Sequence, residues 1–257
     1  MTSLAQVIAQ LEPIEGGWRG VIPDSWLQGR TAYGGLSSAL ALHAAQQSDS
    51  DLPPLRSAQV AFIGPLAGTV LIRATRLRRG RNAAYVQADV ESEAGLGLRA
   101  TFVFMRDLPS RIDHVAGAAP GFARPDADTR VSSGVKAVAF TEKFEFVDQR
   151  DGSVGAAEWL RWARLVDREG LDPAVELVAV ADCLPPVALK LAGGPAPVSS
   201  MTWLLNLLTT PRTSDGWWLL RATSDHVRGG TSSQAMAIWN TDGVPVAQHL
   251  QSIAVFV

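Results

Sequence analysis

With 257 residues, 47% of them hydrophobic and 19% charged, the chain can build a packed interior, burying roughly 70–75% of the surface that its unfolded form exposes. A net charge of −2 supplies no broad field for attracting nucleic acid or acidic membranes. The single cysteine, Cys183, excludes an internal disulfide and a thiolate metal cage, and its apolar neighbours Ala181, Leu184 and Pro185 mark it as buried filler.

Met1 to Gln10 mixes polar and apolar residues as a short amphipathic helix does, without the basic start and apolar core of a secretory signal. No apolar run approaches the roughly 20 residues that cross a bilayer, so a cytoplasmic protein without membrane insertion is expected. Gly16 to Ile22 reads as a strand. Leu36, Ala39, Leu40, His43 and Ala44 then recur at helical spacing, which predicts an apolar helix over Gly35 to Gln47. Four strands follow: Arg56 to Gly64, Thr69 to Arg79, Ala83 to Ser92 and Leu96 to Arg106. The basic cluster Arg73 to Arg81 lies on a strand and turn and reads as a solvated edge. Between Asp107 and Ser133 periodicity fails and proline and glycine accumulate, so the expected organisation is a unit over residues 1–108, a linker over 109–134 and a unit over 135–257.

In the second unit Lys136 to Val147 and Glu158 to Val166 read as strands, the former with Phe140, Phe144 and Phe146 on one face. Asp172 offers an N-cap before Pro173, and an apolar helix over Ala174 to Cys183 is halted by Pro185 and Pro186. Strands are expected at Val198–Leu208, Trp217–Ser224, Thr231–Asn240 and Val244–Val257. Each half thus has a helix followed by an antiparallel meander. The segment Gly95 to Phe104 is answered by Gly243 to Ser252, 148 positions on, and the same offset lays Arg76–Val90 against Ser224–Ile238. Gln251 then stands where the first copy has Val103, and a ligand site is expected where the copies meet.

This pattern, in the α+β class with a long apolar helix wrapped by a curved antiparallel sheet and used twice, resembles the double hotdog of the acyl-CoA thioesterase II type and its thioesterase-like relatives. The residues that carry the resemblance are Thr31-Ala32-Tyr33-Gly34-Gly35-Leu36 at the start of the first helix and Ser57 to Pro65 on the next strand, where Gly64 replaces the family's usual arginine. Ala181-Asp182-Cys183-Leu184-Pro185-Pro186 matches the second helix exit, and Asp242 to Gln251 the terminal hairpin. The resemblance implies an acyl-CoA thioesterase with an acyl-CoA or related thioester as partner, Tyr33, Gly34 and Gly35 beside the substrate, and Gln251 as a catalytic residue. It also places an aspartate on the strand after the second helix, where this chain carries Thr202.

A threonine hydroxyl can orient water but takes up no proton near neutral pH, so about 10²–10⁴-fold of general-base catalysis would be missing. Asp182 is the relocated base in one reading and an acceptor clamping the Pro-Pro exit in the other. For Gly34 and Gly35 the residues allow two readings, a bare backbone corner for an acyl carbonyl or a turn into the helix; the resemblance favours the first. Without the acid, a non-catalytic acyl-group binder is the alternative function. Asp225 and His226 point apart on a strand and form no dyad, while His43 reads as a satisfied helix residue and His249 as a strand surface residue. No metal-ligand spacing, phosphate-cradling loop or Gly-x-Ser-x-Gly elbow occurs, so no cofactor is expected. Trp159, Trp162, Trp217, Trp218 and Trp239 on strands predict a homo-oligomer through the outer sheet faces.

Overall fold

The computed structural model describes residues 2–149 and 152–256; Met1 and Val257, the outer limits expected for the first helix and last strand, lie outside them. Among the described residues the helices are α1 (Leu4–Ala9), α2 (Gly34–Gln47), α3 (Pro173–Ala181) and α4 (Val187–Leu191). In the first half the strands are β1 (Glu12–Ile14), β2 (Gly17–Ile22), β3 (Leu27–Gln28), β4 (Thr31–Ala32), β5 (Leu55–Phe62), β6 (Gly68–Arg79), β7 (Ala83–Ser92) and β8 (Gly95–Met105). The second half contributes β9 (Phe144–Asp148), β10 (Glu158–Leu165), β11 (Val198–Leu207), β12 (Trp218–Arg228), β13 (Thr231–Trp239) and β14 (Pro245–Val255). None of the helices is long and apolar enough to cross a membrane.

Local chemistry accounts for the helix ends. Ser3 and Gln6 close a reciprocal capping box on α1. Asp172 Oδ1 accepts from the Ala174 and Val175 amides at 3.0 and 3.1 Å, with Pro173 at the first helical position of α3. The long helix expected in each half is not found: α2 has 14 residues and α3 nine. The proline pair 185–186 forces extended backbone beyond α3, and the chain resumes as the unforeseen short α4. The strand expected from Lys136 instead begins at Phe144, after a 3-10 turn over Ala139–Lys143. Phe140 stacks on Tyr33 with ring centroids 4.0 Å apart, so it shares the apolar surface of Phe144 without sharing its strand.

Twelve strands make one antiparallel sheet in the order β1-β2-β6-β7-β8-β5-β11-β14-β13-β12-β10-β9. Read outward from the central β5–β11 pair, both sides have the same connectivity, so two meanders are joined edge to edge. Helices α2 and α3 pack antiparallel: Tyr33 meets Ala179 at one end of the pair, and Gln46 meets Asp172 at the other. Ten of the 14 residues of α2 are buried, on every side of the helix, as its apolar composition requires of a wrapped element.

The internal repeat holds at 148 residues for β7 and β13, which begin at Ala83 and Thr231. It then slips by one. Ser92 pairs with Gly95 across the first hairpin, whereas the Asn240 amide reaches the Val244 carbonyl across the second, whose turn is one residue longer. Val86 therefore pairs with Phe102 as Gln234 pairs with Gln251, and the counterpart of Gln251 is Phe102, not Val103. The same shift turns His249 inward.

Of the five tryptophans expected to pair, Trp162, Trp217, Trp218 and Trp239 are buried and Trp159 is half-buried. Trp162, Trp217 and Trp239 lie on the outer face of the second meander, but they are only 3%, 4% and 5% exposed. Ala119 and Phe122, from the segment between the halves, pack over them, and the Trp239 indole donates to the Gly117 carbonyl at 2.8 Å. Trp218 faces inward and donates to the buried Glu176.

Candidate functional site

Six elements contribute to a network where the start of α2 meets the end of α3. Asp182 is the C-cap of α3. Its Oδ1 accepts from Gln251 Nε2 on β14 at 2.9 Å, and its carboxylate also accepts from the Gly35 amide in the first turn of α2. Gln251 Nε2 donates a second bond, at 3.0 Å, to Ser200 Oγ on β11. Gln234 Nε2 on β13 donates to Gln251 Oε1 at 3.0 Å, and Gln234 Oε1 accepts from the Val187 amide at 3.1 Å. The Gly34–Gly35 corner and Gln251 are thus brought together by Asp182, which lies between them.

The two glycines are required by close approach; neither has a positive φ. A Cβ at Gly34 would stand 2.6 Å from Asp182 Oδ2 and 3.0 Å from the Phe62 ring. At Gly35 it would stand 2.5 Å from the Tyr33 ring and 2.6 Å from the Ala179 carbonyl. The space beside both glycines is filled by protein: at Gly34 by the Asp182 carboxylate, which also takes up the Gly35 amide, and at Gly35 by the Tyr33 ring and the Ala179 carbonyl.

Burial pushes the Asp182 carboxyl up to about 7, against the opposing pull of the bonds from Gln251 and Gly35. The residue as a whole is half-buried, as are Gly34, Phe62 and Ser200, while Gln251 is 3% exposed. The carboxylate side of the network is thus the side nearer solvent, and the amide side is the more deeply buried. A carboxyl with this environment exchanges a proton near neutral pH, which is the property required of a general base.

Other anticipated residues stand elsewhere. Thr202 is exposed: a bulge in β11 between Ser200 and Thr202 puts Ser200 beside Gln251 and Thr202 on the outer face of the sheet. Ser200, Gln234 and Phe62 were not singled out from the sequence; in Ser200 the signal was one serine among polar neighbours, and only the bulge distinguishes it. Tyr33 is fully buried, and its hydroxyl donates to Ala179 O at 2.7 Å, so it fastens α2 to α3 and presents no surface to a ligand. Burial raises its pKa well above the ordinary tyrosine value. His226 is exposed, as is Asp225. His249 is buried, contrary to its reading as a surface residue, because the longer turn shifts its strand by one position. Its Nδ1 accepts from Trp203 Nε1 at 2.9 Å, and burial lowers its pKa to about 3, so it is a neutral ring. Cys183 is buried and its thiol is pushed up to about 12 by the same effect, which removes it as a nucleophile. Among the described residues no group of three His, Cys, Asp or Glu side chains could hold a metal ion.

A cavity of about 700 Å³ lies at the opposite ends of the two helices, lined by His43, Asp172, Leu55, Phe104 and Leu207 among others. It contains none of the Asp182 network. The Asp172 carboxylate there is spent on capping α3 and on Gln46.

Comparison with known proteins agrees with the architecture. Residues 22–105 match the model of the acyl-CoA thioesterase N-terminal domain and residues 106–255 that of the acyl-CoA thioesterase C-terminal domain. A conserved protein of unknown function with a hot dog fold from Alicyclobacillus acidocaldarius superposes with a TM-score of 0.89 at 20% identity, over 100% of this chain and 99% of that one. A putative thioesterase II from Thermobifida fusca gives 0.83 at 21% identity, over 100% and 98%. The tesB protein of Mycobacterium avium subs paratuberculosis gives 0.79 at 19% identity, over 99% and 100%. At these identities the structures show a shared fold. No curated protein matches the chain in sequence.

Proposed function

Because the chain belongs to the acyl-CoA thioesterase family, we propose that it hydrolyses an acyl-CoA thioester to a carboxylic acid and free CoA at Asp182. The observation that carries this reading is a single carboxyl, pushed to about 7, held between a glutamine amide and a helix N-terminus among the half-buried Gly34, Phe62 and Ser200. Asp182 takes a proton from water as the water oxygen adds to the thioester carbonyl carbon. The tetrahedral intermediate then collapses with cleavage of the C–S bond, and the thiolate leaves with its electron pair without needing an acid. The proton on Asp182 passes to solvent or to the thiolate.

In this reading Gln251 holds the acid and does not itself hold water, since both its amide hydrogens and its carbonyl oxygen are engaged inside the protein. Ser200 Oγ accepts from Gln251, and its own proton is left to donate toward the substrate oxygen. The N-terminal end of α2 adds a favourable field for the negative charge that develops there. Thr202 takes no part, and the aspartate expected at its position is replaced in function by Asp182. The test is release of free thiol from a panel of acyl-CoAs differing in chain length. No release above background at any length, with Asp182→Asn indistinguishable from the parent, removes the proposal.

A second reading rests on one observation. The Gly35 amide, the donor that an oxyanion at this corner would use, already serves the Asp182 carboxylate. A protein that binds an acyl-CoA or acyl group without turnover would show this arrangement too. Calorimetric binding of acyl-CoA with no thiol release separates it from hydrolysis. Homo-oligomerisation rests now on the outward Leu204 and Leu250, paired across β11 and β14 and 37% and 49% exposed, rather than on the tryptophans. A monomeric mass by sedimentation removes it.

A further inference from the structure

We propose that Gln234 is a positioning residue that fixes which end of the Gln251 amide meets Asp182, and through it keeps Asp182 ready to accept a proton. The inference rests on the hydrolytic reading for its consequence in turnover, while its structural content stands without it.

The Val187 amide at the start of α4 can only donate, so Gln234 must turn its carbonyl oxygen toward it, at 3.1 Å. That choice leaves the Gln234 nitrogen facing Gln251, 3.0 Å away, and Gln251 must answer with its own oxygen. The nitrogen of Gln251 is thereby committed to Asp182 Oδ1 and Ser200 Oγ. Two side-chain amides that could each be turned either way are set by one backbone N–H. Gln234 is fully buried, so water does not compete for either end of it.

The direction matters because of what faces Asp182. From α2 come the Gly35 amide and, at a distance, the buried Tyr33; from its own segment comes Cys183; from β11, Ser200; from β14, Gln251; and Arg161 of β10 acts on the neighbouring Cys183. The carboxylate therefore relies on two N–H donors against its burial, and one of them is the Gln251 amide. With that amide reversed, Oε1 would face Asp182, and only a protonated acid could satisfy it. Nothing in the fold itself demands a glutamine here, since Val86 holds the matching position in the first half.

The test is a carboxyl-carbon NMR titration of Asp182, assigned by its absence in Asp182→Asn, in the parent and in Gln234→Glu and Gln234→Met. Glutamate at 234 offers oxygen to both the Val187 amide and Gln251, which reverses the Gln251 amide. Methionine releases it. The midpoint should rise by about one unit or more with glutamate and by less with methionine, each unit being tenfold in the ratio of ionised to protonated acid. Turnover of acyl-CoA at pH 7 should fall about fivefold or more in kcat with glutamate, KM changing less than twofold, and the acidic limb of the profile should move by the same interval as the titration. Midpoints within 0.3 unit of the parent in both folded variants overturn the proposal even if hydrolysis is found. A shifted midpoint without turnover in the parent leaves the proposal standing and removes hydrolysis. Should neither variant fold, the parent still decides: the Gln251 side-chain amide protons must titrate with Asp182, and if they do not the proposal fails.

Discussion

The two halves of the sheet place equivalent positions in equivalent surroundings and fill them with opposite chemistry. In the first half the inward row across β5, β8 and β7 is Ala58, Phe102 and Val86. In the second, the matching row across β11, β14 and β13 is Trp203, Gln251 and Gln234. The apolar row is what sheet-on-helix packing asks for. The polar row is tolerable only because each amide end finds a partner, down to the Val187 amide and the Asp182 carboxylate. Two copies of one framework thus show what the fold needs and what was added to it.

The strongest way to break the contrast is to neutralise the group that the polar row serves. Asp182→Asn keeps the shape and an acceptor oxygen but removes the proposed base, so turnover should fall by about 10²–10⁴-fold with the melting temperature held; thiol-release kinetics and calorimetry check it. Transplanting the polar row is the converse. Phe102→Gln places an amide in the first half without its partners, and chemical denaturation should report a loss of about 3 kcal/mol with no gain of turnover. Gly34→Ala should cost about 1–3 kcal/mol and most of the activity, because its Cβ competes with the Asp182 carboxylate for one space, 2.6 Å from Oδ2.

The pH dependence sharpens the comparison, since the first row has nothing to titrate. In the unfolded chain Asp182 ionises at its ordinary 3.8, but in the folded protein only near 7. Between those values the native state holds a proton that the unfolded state has lost, so this group's contribution makes stability fall as pH rises through that window. Activity should do the opposite and rise toward a plateau above about 7, as the base becomes charged. Asp182→Asn should flatten its share of the stability profile. The smallest effect is expected at Thr202→Asp: an added carboxylate on the exposed outer face should shift stability by no more than about 0.5 kcal/mol and create no turnover. Turnover appearing in that variant would mean that β11 presents the other face to Asp182.

Much of the framework was legible because it rests on periodicity. Ala83–Ser92 was bounded as it is found, and the Asp172–Pro173 start of α3 follows from capping chemistry alone. What escaped depended on single-residue shifts. The glycines of the two hairpin turns, Gly95 and Gly243, align in sequence and both have positive φ, yet the second turn holds one residue more. Alternation cannot reveal such a slip, so Gln251 was matched to Val103 and His249 was assigned to the surface. The bulge in β11 hides Ser200 in the same way, while Thr202 enters through the family resemblance and not through alternation. The tryptophans were misjudged because a segment without periodicity, around Gly117 to Phe122, covers them, and packing of that kind leaves no pattern in the chain.

That additional residue in the Thr241–Gly243 hairpin works as a reading frame for the final strand. Taking one residue out of it would leave composition, strand count and nearly every backbone bond available, yet would bring Gln248 and Leu250 round to the helices and send His249 and Gln251 to the solvent side. The contact between the polar row and Asp182 thus hangs on the length of a turn that touches neither. Deleting Thr241 and following tryptophan fluorescence at Trp203, which leans on His249, would register the flip directly.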